Sequence, residues 1–66
     1  MKYKFIQYHA MMQFISKLAS EGAEFHVDSY DLAIKVASPG KFSIDGVAKD
    51  YLDRCIREGY CNEIGA

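Results

Sequence analysis

The sequence has no tryptophan, only one proline and two cysteines, and no long hydrophobic run. A membrane-spanning helix needs about 20 consecutive apolar residues, so none is expected. Near the N-terminus Gln7, His9 and Gln13 interrupt the apolar residues, and no signal-peptide core is predicted. Cys55 falls on the apolar face of a predicted helix, where a reduced thiol behaves as a small hydrophobic group. A cytoplasmic protein is therefore expected, in the host cytoplasm if the protein is viral.

What the sequence does contain is enough apolar residues for one small core. Half of its 66 residues are hydrophobic and nine are aromatic, so it is not compositionally disordered. A chain of this length forms one domain, residues 1–66. Domains below roughly 70 residues gain only a few kcal/mol from their core, so a binding partner or a homodimer would add needed stability.

The charged residues are unevenly distributed, although the net charge is only -1. The first 20 residues contain Lys2, Lys4 and Lys17 and no acid, whereas residues 21–66 contain five bases and nine acids. A protein that binds nucleic acid normally presents a basic field, and only the first segment offers one. The acidic remainder favours a protein partner with a basic surface.

The first third of the chain predicts a strand followed by a helix. In MKYKFIQ, Tyr3 and Phe5 alternate with Lys2 and Lys4, as in a half-exposed strand, although a helical start fits nearly as well. Further on, apolar residues recur at three- and four-residue steps until Gly22, which predicts an amphipathic helix. Its predicted buried face consists of Tyr8, Met11, Met12, Ile15, Leu18 and Ala19.

The middle of the chain has two interpretations. AEFHVDS alternates apolar and polar residues and predicts a short strand. SYDLAIKVASPG then fits a short helix with Ser29 at the N-cap, or a second hairpin strand after a turn at residues 28–30. The helix would bury Leu32, Ala33, Val36 and Ala37, and the strand would bury Leu32, Ile34 and Val36. The serine cap and the stop at Pro39-Gly40 favour the helix.

The last helix is the clearest element. Ser43 is its predicted N-cap and Gly59 its stop. Its apolar stripe consists of Ile44, Val47, Ala48, Tyr51, Leu52, Cys55 and Ile56. Gly46 in the first turn costs about 1 kcal/mol against alanine, which indicates close packing against a neighbour or a frayed first turn. The tail YCNEIGA predicts at most one edge strand.

These elements predict a small α+β domain with the order helix, short strand, short helix, long helix; the alternative order is β-α-β-β-α. The predicted order resembles the front of a winged helix-turn-helix domain. The matching residues are Leu32-Ala33, Ser43, Val47, Leu52 and Gly59-Tyr60. The chain stops where the wing hairpin would continue, and the turn SPGKF is longer than the usual helix-helix turn. The resemblance implies that the last helix faces the major groove of DNA.

No catalytic or cofactor-binding pattern is evident. Five residues lie between Cys55 and Cys61, unlike the spacing of zinc knuckles, so neither a metal site nor a cofactor is expected. The sequence shows no nucleophile with a base and an orienting group, and an enzyme is not expected. The basic, aromatic N-terminus offers a single-strand clamp, but its alternation more simply puts the rings in the core.

The predicted function is therefore binding without catalysis. We expect a small acidic inhibitor or modulator of a protein with a basic surface, of the kind that phages encode against host or defence proteins. The alternative is a DNA-binding regulator of winged helix-turn-helix type. The predicted partner-binding residues are Asp45, Lys49, Asp50, Asp53, Arg54, Arg57, Tyr30, Asp31 and Tyr60.

Overall fold

A computed structural model describes residues 2–36 and 46–65 of the chain. These residues form a small α+β domain with two helices and a four-stranded antiparallel sheet. The elements are β1 (Lys2–Phe5), α1 (Tyr8–Ser20), β2 (Phe25–Asp28), β3 (Ala33–Val36), α2 (Val47–Arg57) and β4 (Cys61–Gly65).

The sheet has the strand order β2-β3-β1-β4, and each pairing is antiparallel. The helix α1 lies between β1 and β2 in the chain, and β3 separates these strands in the sheet. The helix α2 likewise lies between β3 and β4, which β1 separates. This is the split β-α-β arrangement used twice. Buried side chains of both helices belong to one core cluster, so both helices cover the same face of the sheet.

The strand predicted at the N-terminus is confirmed. Tyr3 and Phe5 are buried under the helices, whereas Lys4 on the opposite face is exposed. Burial raises the pKa of the Tyr3 phenol, and the carboxylate of Glu63 on the paired strand adds to this shift. The alternation along β1 therefore determines which side of the sheet is the core.

The first helix is confirmed, but its predicted buried face is only partly right. Met11 and Leu18 are buried, together with Ala10 and Phe14, whereas Tyr8 is 60% exposed. Met12 and Ala19 are also exposed, and Ile15 is half-buried. The helix is rotated toward Phe14 because this ring contacts two rings of β1. Its centroid lies 5.6 Å from that of Phe5 and 6.2 Å from that of Tyr3.

The short helix predicted for residues 29–38 is wrong in the part that the structure describes, because Ala33–Val36 is a strand. Ser29 does not start a helix. Instead, Asp28 Oδ1 accepts hydrogen bonds from the backbone N–H groups of Tyr30 (3.2 Å) and Asp31 (3.3 Å), which fixes a turn. The strand β3 pairs on both sides, and these ladders outweigh the local helix signals. The element order is thus the β-α-β-β-α alternative plus one edge strand, and a winged-helix arrangement is not confirmed.

The last helix is described from Val47, with Gly46 at the N-cap position; the predicted cap Ser43 lies outside the described residues. Its core-facing residues are Ala48, Leu52 and Cys55. Val47 and Ile56, predicted on the apolar stripe, are exposed, because the stripe that contacts the core is narrower than the apolar pattern.

Both predicted glycine stops are confirmed. Gly59 has a φ of 84° and Gly22 a φ of 73°, the left-handed conformation that glycine adopts without strain. Tyr60 N–H donates to Cys55 O (2.8 Å) and Gly59 N–H to Ile56 O (3.2 Å). This pair of bonds is a Schellman motif, which ends α2 and directs the chain into β4.

The start of α2 is capped by a side chain from the end of α1. Glu21 Oε2 accepts a hydrogen bond from the backbone N–H of Ala48 at 3.2 Å. A Cβ atom added at Gly46 would collide with the same carboxylate. A side chain at position 46 would thus have to displace the end of Glu21, which is consistent with close packing, one of the two reasons that the sequence suggested.

We expect Gly46→Ala to displace the Glu21 carboxylate and to lower the free energy of unfolding by about 1 kcal/mol, the usual cost of a lost cap. Glu21→Ala should cost about the same. In the Glu21→Ala background the further change Gly46→Ala should cost less than in the wild type, because only the N-cap preference for glycine over alanine remains, so the two effects would not add. Urea unfolding of the wild type, the two single variants and the double variant measures these free energies, with Glu24→Ala at an exposed position as the control. Additive losses would contradict the cap.

Candidate docking surfaces

The predicted partner-binding residues fall on two surfaces. Asp45 lies outside the described residues. The members on α2 are Lys49, Asp50, Asp53, Arg54 and Arg57. Tyr30 and Asp31 lie in the turn between β2 and β3, and Tyr60 lies between α2 and β4. The structure thus separates residues that the sequence grouped into one site.

The outer side of α2 forms an open cleft of about 460 Å³. Its lining residues are Lys17, Val47, Asp50, Tyr51, Asp53, Arg54 and Arg57. Lys17 comes from α1, and its Nζ lies 5.0 Å from the centroid of the Tyr51 ring, a cation-π contact. Lys17, Val47 and Tyr51 were not predicted as partner-binding residues. Val47 and Tyr51 were assigned to the apolar stripe of the helix, and only the packing of the two helices brings Lys17 to this place.

The charges of α2 are mixed. Lys49 Nζ lies 2.6 Å from Asp53 Oδ1, and Arg54 Nε lies 4.0 Å from Glu58 Oε2. Both pairs are one helical turn apart and solvent-exposed, so each contributes little to stability. Within Val47–Arg57 three bases face two acids. The segment Val47–Arg57 by itself is therefore not acidic.

The second surface lies at the end of the sheet where β1 ends. Phe5 N–H donates to Leu32 O (2.8 Å) and Ile6 N–H donates to Tyr60 O (3.0 Å). At this end of the sheet, the β2–β3 turn therefore lies on one side of β1 and Tyr60 lies on the other side. We define the sheet-end cluster as Ile6, Tyr30 and Tyr60, which are 63%, 95% and 36% exposed.

Tyr30 is held out into solvent by a fixed turn. The Asp28 carboxylate bonds two successive backbone N–H groups of this turn, and Leu32 takes a φ of 53°, which is unfavourable for a residue with a Cβ. The tyrosine ring is therefore presented by an ordered backbone. Ile6 was not predicted as part of a site, although it is an apolar residue at an outward position just after β1.

No family model, no curated protein and no solved structure matches this chain. A function for it therefore has to be argued from these surfaces and their charges.

The interior carries little that is reactive. Cys55 and Cys61 are buried thiols. Burial raises the pKa of Cys61 to about 12 and also raises the pKa of Cys55, so both stay protonated at neutral pH and are weak nucleophiles.

Among residues 2–36 and 46–65, no group of three or more His, Cys, Asp or Glu residues is arranged to hold a metal ion. In the same residues, neither helix has the length and apolar character to cross a membrane.

Proposed function

We propose that this protein is a non-catalytic regulator that docks on a protein partner through the sheet-end cluster. The observation that carries the proposal is Tyr30, which is 95% exposed on a turn with a fixed backbone. Tyrosine is enriched among residues that dominate binding energy at interfaces. The backbone of this turn is already held by hydrogen bonds, so fixing it on binding costs little conformational entropy.

The surroundings of the cluster support a partner with a basic surface. Asp28 and Asp31 are exposed close to Tyr30 in the chain, whereas Glu58, the C-cap of α2 two residues before Tyr60, lies 4.0 Å from Arg54. Ile6 adds an exposed apolar side chain between the two tyrosines. An apolar centre with an acidic rim is the arrangement that a basic, partly apolar protein surface would complement. Such docking fits an inhibitor or modulator that acts by occupying its partner.

Tyr30 provides the test. A photo-crosslinking phenylalanine analogue at position 30 should give a discrete crosslinked protein in cells of the native host, whereas the same analogue at the exposed Gln13 on α1 should not. With that partner purified, Tyr30→Ala should lower its affinity by about 30-fold or more, the size of a hot-spot effect. The unfolding free energy should change by no more than about 0.5 kcal/mol, because the side chain is on the surface.

The matched control is Met12→Ala, which removes an exposed apolar side chain from α1. Its affinity for the partner should stay at the wild-type value. Crosslinking from position 13 alone, or an affinity that Tyr30→Ala leaves unchanged, would overturn the sheet-end cluster as the docking surface.

The alternative proposal is a DNA-binding regulator of winged helix-turn-helix type, with the outer side of α2 in the major groove. Lys17, Arg54 and Arg57 around the cleft support it. Asp50 and Asp53 in the same cleft oppose it, because they repel phosphates. The strand at Ala33–Val36 also opposes it, since a helix-turn-helix needs a helix before α2. Binding to duplex DNA that is lost when Arg54 and Arg57 become glutamine would favour this alternative.

A further inference from the structure

The face of the sheet away from the helices carries a group of lysines. Tyr3 and Ile34 point into the core, so their neighbours along β1 and β3 point outward. The outward residues of these two central strands include Lys2, Lys4 and Lys35. We call these three residues the sheet-face lysines. Lys4 and Lys35 are exposed, and Lys2 is half-buried.

The strand register brings the sheet-face lysines together. Lys2 lies directly opposite Lys35, and Lys4 is opposite Ala33, two residues further along the same ladder. Neighbouring strands are about 4.8 Å apart and alternate residues along a strand about 7 Å apart, so the three lysine Cα atoms form a compact triangle. His26 is paired with Lys35 on the next strand and extends this row.

This pairing is unfavourable for folding by itself. Like charges directly opposite each other in a sheet are destabilising. Among the described residues, no carboxylate lies within ion-pair distance of any sheet-face lysine. The acid of β2 that points outward is Asp28, which keeps its negative charge but lies in the row of Ala33, two strands and about 10 Å from Lys4. Glu63 pairs with Tyr3 and therefore belongs to the helix-covered side. The central positive charge is thus left to solvent or to an anionic ligand.

We propose that the sheet-face lysines bind the sugar-phosphate backbone of a single-stranded nucleic acid. The triangle offers several ammonium groups at short spacing to a ligand with regularly repeated negative charge, and binding relieves the repulsion between Lys2 and Lys35. Of the other side chains in this register, Asn62 on β4 is exposed, whereas Ala33 opposite Lys4 is buried, so a bound strand would contact the lysine side chains and not the floor of the sheet at Ala33.

A single strand fits this face better than a duplex. A DNA duplex stays nearly straight over about 150 base pairs, so it cannot bend to bring its phosphates to lysines spread over a twisted sheet. A flexible strand can follow the twist of the sheet instead. The core position of Tyr3 and Phe5 removes them as stacking platforms, so contact to the backbone, without sequence preference, is expected. This inference does not depend on the sheet-end cluster or on a protein partner.

Fluorescence anisotropy with labelled oligothymidylate at increasing salt tests the proposal. Three lysines on phosphates predict a slope of log affinity against log salt of about -2, at roughly 0.7 for each phosphate neutralised on a single strand. The double variant Lys2→Gln/Lys35→Gln should reduce the slope to about -0.7 and lower the affinity at low salt by at least about tenfold. Its melting temperature should equal or exceed that of the wild type, because a like-charge pair has been removed.

The matched control is Arg54→Gln/Arg57→Gln, which removes the same charge from α2. It should keep the wild-type slope and affinity. An equal loss in both variants would show an effect of net charge alone and would overturn the proposal, as would a loss confined to the α2 variant. Tighter binding of duplex DNA or of polyglutamate than of oligothymidylate would overturn it too, since the ligand would then be a different polyanion.

Discussion

Phe14→Ala should leave the protein without a stable fold. The Phe14 side chain is fully buried, and its ring contacts the rings of Tyr3 and Phe5. Truncating a buried phenylalanine costs about 3–5 kcal/mol through lost burial and the cavity left behind. Domains of this size seldom have more than a few kcal/mol to lose. Far-UV circular dichroism during urea unfolding should therefore show no cooperative transition, or one displaced to very low urea.

Two variants distinguish this cause from a general sensitivity of α1. Phe14→Leu retains an apolar side chain and should lose much less stability. Gln13→Ala changes the exposed neighbour and should remain within about 0.5 kcal/mol of the wild type. If Phe14→Ala unfolded at nearly the wild-type urea concentration, the contact of α1 with β1 through this ring would be wrong.

The parts of the fold that were predictable are those where the structure follows the favoured interpretation of a local pattern, although at β1 a helical start had fitted nearly as well. Alternation gave β1 its correct faces, and a glycine after an apolar helical repeat marked the ends of α1 and α2 correctly. The edge strand at the C-terminus also followed from its short length between Gly59 and the end of the sequence. Each of these signals depends on backbone preferences that act over a few residues.

Tertiary contacts decided the parts that were not predictable. The side of α1 that is buried depends on where the rings of Tyr3 and Phe5 lie, and the helical repeat alone places Tyr8 and Met12 inside. Among the features of the candidate surfaces, the mixed charge of α2 can be read from the sequence of the helix alone. The approach of Lys17 to Tyr51, by contrast, needs the packing of two helices. The opposition of Lys2 and Lys35 similarly needs the strand order, which no local pattern contains.

Residues 29–36 show this competition most clearly. Ser29 is a good helix N-cap, but Asp28 is immediately before it, and the Asp28 carboxylate bonds the turn instead. Once the turn forms, Ala33–Val36 can pair with both β2 and β1. Pairing with two strands gives the backbone N–H and C=O groups of β3 hydrogen-bond partners on both sides, and it buries Ile34 and Val36. A helix as short as the predicted one would have been only marginally stable by itself.

Ile34→Ala tests that outcome, because the two interpretations of this segment place Ile34 differently. In the helix, Leu32, Ala33, Val36 and Ala37 form the buried face, so truncating Ile34 would cost little. In the strand, Ile34 is fully buried opposite Tyr3 and Val27. We therefore expect Ile34→Ala to lower the free energy of unfolding by about 2–5 kcal/mol.

The adjacent substitution Lys35→Ala is the matched control, since alternation puts this side chain on the opposite, exposed face. It should change stability by less than about 0.5 kcal/mol, or increase it slightly by relieving repulsion from Lys2. Urea unfolding of both variants under the same conditions gives the comparison. Similar small losses for the two would contradict β3. A large loss for Ile34→Ala alone would support the strand, and with it the register that brings the sheet-face lysines together.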